Sequence, residues 1–413
     1  MSLVTPFAGL RPLPAHAADV LAPPYDVLSS EEARRRAKNR PWSFLHVSKA
    51  EIDLPPETNA YAPEVYAKAK ANLKAMVGGG ILRGDPAPYY YVYRLRMGTH
   101  VQTGIALAAS VAAYDAGRIR RHEFTRPEKE DDRVRQIEAL DAQTGPVLLT
   151  HRPSPALTAM VSGVTQTAPE YDLVADDGIG HAFWVVRDPA YIAGISEAFE
   201  AMPALYIADG HHRSAAASRV AATRRVANPS PTSEEPYEYF LAVAFPSDAM
   251  QVLDYNRVVQ DLNGLTAETF LARVGKAFTV SENNGPVRPA HPHAFGMYLE
   301  GKWYRLAIRP ALVPETDPVA RLDVSLLADH LIAPILGVQD PRRDKRIDFV
   351  GGIRGLQALA ERVDSGSMKV AFSLCPTRLD DMMAVADAGQ VMPPKSTWFE
   401  PKLADGLVSH MLS

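Results

Sequence analysis

Thirty-four prolines spread along 413 residues restrict the architectures that this chain can adopt. Proline fixes its φ angle and carries no amide hydrogen, so it interrupts helix interiors and central strands. Prolines outnumber the 26 glycines, which predicts many long, stiff connections and argues against a helical bundle. Because the chain is 46% hydrophobic and 22% charged, the ordinary range for folded proteins, we expect it to bury a large core.

Apolar patterning predicts an α/β protein with mixed sheets. Residues 89–96 alternate, Gly98 lies in a turn, and 102–108 resume an apolar strand, which together indicate a β-hairpin. A second hairpin is predicted with its turn at Glu300 and Gly301. Strand-then-helix patterns follow towards the C-terminus, in RIDFVGGIRGLQALAERV and in MKVAFSLCPTRLDDMMAVADAG.

No low-complexity linker divides the sequence, so we expect one globular unit over residues 1–413. Within it we distinguish three lobes. Residues 1–165 form an N-terminal α/β lobe with the first hairpin, and residues 166–265 form a core around the sequence DGHHR. Residues 266–413 form a C-terminal α/β lobe with the second hairpin and the PPKSTWFEPK tail.

Charge and cysteine usage exclude several classes of function. The net charge is −4, whereas a dedicated nucleic-acid binder usually carries a basic excess, so a nucleic-acid partner is not expected. Cys375 is the single cysteine; it cannot form an intrachain disulfide and has no zinc-ligand spacing. The sequence shows neither a signal-peptide pattern nor an apolar run of membrane-spanning length. We expect a cytoplasmic protein without a membrane partner.

The sequence Asp209-Gly210-His211-His212-Arg213 lies between an apolar strand and an alanine-rich helix. A helix start presents free N–H groups and a positive dipole end, and Arg213 adds a fork of donors suited to phosphate oxygens. Such a corner favours phosphate or nucleotide binding, with the histidines donating to the anion or carrying a proton. The alternative is an ordinary capped helix, with Asp209 as its N-cap.

A second motif, RRHEFTRPEK, places a carboxylate between a histidine and an arginine. His122 and Glu123 suit general acid–base catalysis, Arg126 suits a bound anion, and Glu123 suits magnesium. Pro127 is predicted to break any helix here, which leaves the motif in a loop. The alternative is a surface helix rich in salt bridges.

The third motif, PPKSTWFEPK, combines two lysines, two hydroxyls and two aromatic residues. It predicts a phosphate-binding loop in which Lys395, Ser396 and Thr397 donate, with Trp398 stacked on a base or packed beneath. It lacks the spaced glycines of a Walker A loop. The alternative is a C-terminal segment pinned to the body by its aromatic rings.

Weaker candidates complete the survey. Tyr25 and Asp26 follow two prolines and could be presented rigidly, although a packed turn explains them equally well. Asn256 and Arg257 end a predicted strand, where they could contact an anion or cap a carbonyl. The glycines of 348–352 form a second candidate anion corner, which helix packing explains as well.

Six motifs in this order resemble an uncharacterised bacterial and archaeal family, domain of unknown function 1015. They are LAPPYDVLS, RRHEFTRPEKEDDR, LYIADGHHRSAAA, NRVV, RIDFVGG and MPPKSTWFEPKLADGL, and the resemblance spans essentially the whole chain. The family name carries no activity.

The DGHHR corner is also similar to the ParB/sulfiredoxin superfamily, which binds nucleotide phosphates at a strand–helix turn. This resemblance implies a ParB/sulfiredoxin-like phosphate-binding core within a larger family-specific body, with Gly210 and Arg213 on the phosphate. Histidines stand where sulfiredoxin has its catalytic cysteine, and no helix-turn-helix of the partition proteins is evident. The small-molecule branch, which includes a free-serine kinase, is the closest in pattern.

These observations predict an enzyme that transfers or hydrolyses a phosphoryl group on a small metabolite. The resemblance points to serine or phosphoserine, with ATP or ADP as co-substrate and Mg²⁺ held by Glu123 or Asp209. Kinase and phosphatase directions stay open, as does the oligomeric state. Two alternatives remain: a ParB-like nucleotide-binding regulatory or DNA-linked protein, and a metal-dependent hydrolase using His122, Glu123 and the two histidines of DGHHR.

Overall fold

The computed structural model describes residues 2–413. The chain divides into two compact units, the first comprising Met1–Met250 with Pro401–Ser413 and the second comprising Gln251–Glu400. The boundary expected at residue 165 falls inside the first unit, because strands on both sides of it share one sheet. The expected C-terminal lobe is likewise divided, since residues 401–413 belong to the first unit.

The strands, in chain order, are β1 Val4–Thr5, β2 Gly9–Pro12, β3 Leu82–Gly84, β4 Tyr90–Met97, β5 His100–Ser110, β6 Ile119–Arg120, β7 Ala142–Gln143, β8 Val147–His151, β9 Tyr171–Val174, β10 Gly180–Val186, β11 Leu205–Asp209, β12 Tyr239–Pro246, β13 Gln251–Leu253, β14 Tyr255–Val259, β15 Phe278–Asn283, β16 Ala294–Leu299, β17 Lys302–Ile308, β18 Ile347–Gly351, β19 Val370–Leu374, β20 Trp398–Glu400 and β21 Ser409–Met411.

The α-helices are α1 Ala17–Val20, α2 Ser30–Ala37, α3 Leu45–Ser48, α4 Pro63–Gly78, α5 Val111–Asp115, α6 Pro127–Leu140, α7 Pro155–Val164, α8 Pro189–Glu200, α9 His211–Ala227, α10 Ala267–Ala277, α11 Asp323–Leu327, α12 Ala333–Leu336, α13 Gln357–Asp364 and α14 Leu379–Asp387. Among the described residues, none of these helices is both long enough and apolar enough to span a bilayer.

A large mixed sheet organises the first unit. Its strand order is β6-β11-β8-β12-β5-β4-β10-β9, with β1 added beside β5. The pairs β6–β11 and β8–β12 are parallel, whereas the other pairs are antiparallel. Small residues of α9, such as Ala217 and Ala221, are fully buried in the core that this sheet shares with its helices. The mixed α/β class predicted from the sequence is confirmed.

A smaller sheet ties the end of the chain into the first unit. Its order is β3-β2-β21-β7, so β21 lies between two strands from the N-terminal half. Leu10 pairs with Ser409, and Gln143 pairs with His410. The segment just before β21 is thereby brought to the first unit, which matters for the site described below.

The second unit contains an antiparallel sheet of order β15-β17-β16-β19-β14-β18 and a two-stranded sheet of β13 and β20. The hairpin predicted at Glu300 and Gly301 joins β16 to β17, and both turn residues have positive φ, 48° and 79°. Buried residues of α13, including Leu359, belong to the core of this unit.

Two local expectations are wrong. Pro127 does not break a helix but begins α6, because the first helical position needs no N–H donor. Asp209 is not the N-cap of α9; it ends β11, and Gly210 takes the capping position.

Candidate functional site

The DGHHR sequence forms the strand–turn–helix corner of the first unit. Strand β11 ends at Asp209, Gly210 adopts φ 96° and ψ 26°, and α9 begins at His211. A Cβ atom on Gly210 would lie 3.2 Å from the Cα of Val147 in the neighbouring strand β8. Both the left-handed backbone and this close approach favour glycine. The turn therefore directs the positive end of a 17-residue helix towards the corner.

Asp209 uses both carboxylate oxygens within the first unit. Its Oδ1 accepts a hydrogen bond from the amide of Gly210 at 2.7 Å, and its Oδ2 accepts one from Nζ of Lys402 at 3.0 Å. Burial alone would raise the pKa of Asp209, but the charges of Lys402 and Arg213 outweigh it and hold that pKa well below its usual range. Asp209 is therefore an ionised partner of Lys402 at neutral pH.

Arg213 lies in the first turn of α9 with its side chain 11% exposed. Its Nη2 donates to Oδ2 of Asp26 at 3.0 Å and its Nη1 donates to the carbonyl of Pro146, while its Nε has no partner. Its guanidinium also lies 5.7 Å from the ring centre of Tyr25. The guanidinium of Arg133 lies 3.8 Å from the same ring centre. Burial would lower the pKa of Arg213, but Asp26 and its other neighbours raise it, so the guanidinium stays charged.

A small cavity of about 30 Å³ adjoins Arg213. Asp405, which is 1% exposed, lines this cavity, and its Oδ2 has no hydrogen-bond partner. Burial raises the pKa of Asp405 to about 7, although the positive charge of Arg213 opposes this shift. Gly145 lies beside both groups, since a Cβ placed there would lie 3.5 Å from Oδ1 of Asp405 and 3.8 Å from Nε of Arg213. A cavity of this volume and polarity has room for a water molecule.

The two histidines of DGHHR hold the loop that precedes α6. Nε2 of His211 accepts the amide N–H of His122 at 3.4 Å, and Nε2 of His212 accepts that of Arg126 at 3.0 Å. Because a backbone N–H can only donate, both imidazole nitrogens must be unprotonated. Burial lowers the pKa of both rings, and nearby arginines, Arg121 beside His211 and Arg126 beside His212, lower it further. The histidines are neutral acceptors that position the loop.

His122 and Glu123 differ in accessibility. The His122 ring is 2% exposed, lies edge-on to the His211 ring at 4.6 Å and leaves Nδ1 without a partner. Burial lowers the pKa of His122 to about 4. Glu123 is 53% exposed and places Oε2 3.9 Å from Nδ1 of His211. Of the two predicted acid–base residues, Glu123 is the one that faces solvent.

No cluster of three or more histidine, cysteine, aspartate or glutamate side chains is placed to hold a metal ion within residues 2–413. The predicted magnesium ligands, Glu123 and Asp209, therefore do not belong to a ready-made ligand group. Both oxygens of Asp209 are already hydrogen bonded. The histidines expected for a metal-dependent hydrolase likewise belong to no such ligand group in the described part of the chain.

The PPKSTWFEPK motif contributes its predicted site residues, Lys395 to Trp398, to the second unit. Ser396 is buried and donates to the carbonyl of Pro393, so its hydroxyl serves the loop itself. The ring of Trp398 fills the space beside Gly351, where a Cβ would lie 2.6 Å from it. The ring of Trp398 therefore packs against the end of strand β18.

Sequence reasoning does not select Lys402, Asp405 or Arg133, although all three lie around Asp209 and Arg213. Lys402 and Asp405 stand in the sequence KLADG, at the end of the motif MPPKSTWFEPKLADGL. The position of both residues beside Arg213 and Asp209 depends on the pairing of β21 with β2 and β7. No local sequence pattern reveals this pairing.

Several solved structures resemble the chain at low sequence identity, including the following three. Free serine kinase in complex with AMP is 13% identical, over 73% of this chain and 92% of its own, with a TM-score of 0.35. SbnI with C-terminal truncation, from Staphylococcus aureus, is 11% identical over 73% and 85%, with a TM-score of 0.38. A conserved hypothetical protein from Pyrococcus furiosus is 13% identical over 73% and 94%, with a TM-score of 0.35.

Likenesses this remote do not establish an activity or a ligand. No curated protein matches the chain. The family model described as protein of unknown function (DUF1015) does match, over residues 4–325, which is more than half of the chain. The expected family is therefore confirmed: the chain belongs to the DUF1015 family.

Proposed function

We propose that the corner around Gly210 binds the phosphate group of a small metabolite and that the protein transfers a phosphoryl group there. The supporting observation is the convergence of Arg213 and Lys402 at the start of α9. Each cation contacts a carboxylate that remains partly exposed: Asp26 is 41% exposed and Asp209 is 35% exposed.

This arrangement suits an incoming phosphate because its cations are assembled before the ligand arrives. A helix start, a guanidinium and an ammonium each favour a phosphate oxygen, and together they offset the charge that develops during transfer. Binding would exchange the contact between Arg213 and Asp26 for one between Arg213 and phosphate. The exposed Arg126 at the start of α6 lies beside His212 and would add a further positive charge.

The chemistry proposed is attack of a metabolite hydroxyl on the terminal phosphorus of ATP. The new oxygen–phosphorus bond forms as the bond to ADP breaks, and Glu123 accepts the hydroxyl proton. Glu123 fits this role because its side chain is 53% exposed and its Oε2 lies 3.9 Å from Nδ1 of His211. We assign His211 and His212 to positioning of the loop, since their neutral rings accept the backbone N–H groups of His122 and Arg126. His122 itself is buried and belongs to the loop that His211 holds.

Analysis of the reaction products tests the direction of phosphoryl transfer and identifies the acceptor. We suggest serine as the first acceptor to test, with phosphoserine for the reverse or hydrolytic direction. Incubation with ATP and serine would yield ADP and phosphoserine, whereas a phosphatase would release inorganic phosphate from phosphoserine. Each reaction is run with and without Mg²⁺, which in phosphoryl transfer neutralises phosphate charge.

Binding is tested by calorimetry with ATP, ADP, phosphoserine and inorganic phosphate. Arg213→Gln and Lys402→Gln should each weaken the affinity at least tenfold. Arg187→Gln is the matched control, because Arg187 is an exposed arginine that contacts Glu170 at the opposite end of the sheet order. Wild-type protein that binds none of these ligands, or equal affinity in the Arg213 variant, would refute the proposal.

A further inference from the structure

Arg257 is a buried cation in the second unit. It lies on β14, is 4% exposed, and packs its guanidinium against the ring of Phe349, 5.0 Å from its centre. Its Nη2 donates to the carbonyl of Lys395 at 2.9 Å, and its Nη1 donates to the carbonyl of Tyr255. Its surroundings are therefore aromatic rings and backbone carbonyls.

Within residues 2–413, Arg257 forms no ion pair with a carboxylate. Other buried arginines of this chain do: Arg11 lies 2.6 Å from Asp85, and Arg213 lies 3.0 Å from Asp26. Burial lowers the pKa of Arg257 to about 10, and only the hydroxyl of Tyr255 opposes that shift. Burying a charge without a counter-charge is costly, so its retention needs an explanation.

Lys395 supplies a second cation at the same place. Its Nζ lies 5.6 Å from the centre of the Tyr255 ring, and the Arg257 guanidinium lies 5.9 Å from that centre. Lys395 is exposed and has a φ of 59°, a left-handed conformation that is uncommon for a residue with a side chain. The hydrogen bond from Arg257 to its carbonyl helps to hold it there. Strained backbone of this kind is often retained at binding sites.

We propose that Arg257 and Lys395, beside the half-buried ring of Tyr255, form an oxyanion site in the second unit that takes the phosphate or carboxylate group of a small metabolite. The oxyanion supplies the counter-charge that residues 2–413 do not provide for Arg257. Lys395 is accessible to the ligand, while Arg257 has donors beyond the two that its carbonyl partners use. This site is argued independently of the corner at Gly210.

The competing explanation is that Arg257 only ties two carbonyls together. The Lys395→Gly variant distinguishes this explanation from the oxyanion site. Glycine adopts the φ of 59° without strain and keeps the carbonyl to which Arg257 donates, but the ammonium is lost. A purely structural Arg257 predicts unchanged oxyanion affinity in this variant. An oxyanion site predicts weaker binding with a melting temperature that is equal or higher.

The test uses the full chain carrying Arg213→Gln, which weakens binding at the corner at least tenfold, so that the two proposals fail separately. Calorimetry with inorganic phosphate and with acetate should still detect binding in this background, and the stronger of the two identifies the oxyanion class. Adding Lys395→Gly should weaken that affinity at least tenfold.

Arg257→Lys provides the second variant, since it keeps the positive charge but loses the planar fork. It should also weaken binding at least tenfold in a protein that melts cooperatively. No binding of either anion in the Arg213→Gln background would overturn the site, as would unchanged affinity after Lys395→Gly.

Discussion

The ammonium of Lys402 lies 3.0 Å from Oδ2 of Asp209, although the two residues are 193 positions apart in the sequence. Strand β21 makes this contact possible, because it inserts between β2 and β7 and returns the end of the chain to the first unit. One of the two cations at the DGHHR corner is therefore supplied by residues 401–413.

Replacing Lys402 with Met should destabilise the first unit by about 1–2 kcal/mol, since it removes the ammonium that hydrogen bonds to the partly buried Asp209 carboxylate. Lys402→Arg retains the charge and should recover most of the loss. Urea denaturation of the three proteins at pH 7 measures the difference. Equal stability of the Met variant and the wild type would show that Asp209 does not depend on this partner.

Gly210→Ala should be more damaging than alanine at another glycine with positive φ. Gly178 is the matched control: its φ is 81° and its Cβ position is open, whereas the Cβ of an alanine at 210 would meet the Val147 backbone at 3.2 Å. Left-handed backbone alone costs about 1–2 kcal/mol in each variant. The additional loss in Gly210→Ala, measured by chemical denaturation, reports the crowding against β8. Similar losses at both positions would contradict it.

The strand, turn and helix of the DGHHR corner were accessible to sequence reasoning because they are consecutive in the chain. An apolar strand, a glycine and an alanine-rich helix follow one another within the same stretch, so the turn at Gly210 is encoded where it occurs. The role of the histidines was not accessible in this way. His212 accepts the amide of Arg126, 86 positions away, and only the packing of α6 beside α9 reveals that contact.

Proline explains one of the wrong expectations in physical terms. Inside a helix its missing N–H removes a hydrogen bond, which is the rule applied to Pro127. At the first helical position no intrahelical bond is lost, and Pro127 begins α6 there. The sequence alone does not say which of the two positions a proline occupies, because both are followed by residues suited to a helix.

Buried histidines should make the protein sensitive to acid. Burial lowers the pKa of His122, of His181 and of His410 to about 4 in the folded state, against about 6.5 when unfolded. Between these values the unfolded chain binds more protons, so stability is retained above pH 6.5 and is lost as the pH falls towards 4. Each such histidine costs roughly 2 kcal/mol at pH 5. Melting temperatures across pH 5–8 measure the trend.

His410→Gln isolates one of these contributions. The His410 Nε2 hydrogen bonds to the carbonyl of Pro236 at 2.9 Å, a donation that the glutamine amide can replace. The variant should lose less stability than the wild type between pH 7 and pH 5, while the two match more closely at pH 8, where neither state is protonated at this residue. Parallel pH profiles would mean that His410 does not titrate on unfolding.

Asp405 should act in the opposite direction, because its folded pKa is raised by burial to about 7, against about 3.9 in the unfolded chain. The folded state holds the proton more tightly between these values, so this group removes stability as the pH rises from 4 to 7. Asp405→Asn keeps the shape of the side chain without the buried charge and should stabilise the protein at pH 8 by about 2–4 kcal/mol. At pH 4 the variant and the wild type should be nearly equal. Denaturation curves at the two pH values test this prediction. An Asn variant that is less stable than the wild type at pH 8 would show that the attraction between Arg213 and the ionised Asp405 outweighs the cost of burying that carboxylate.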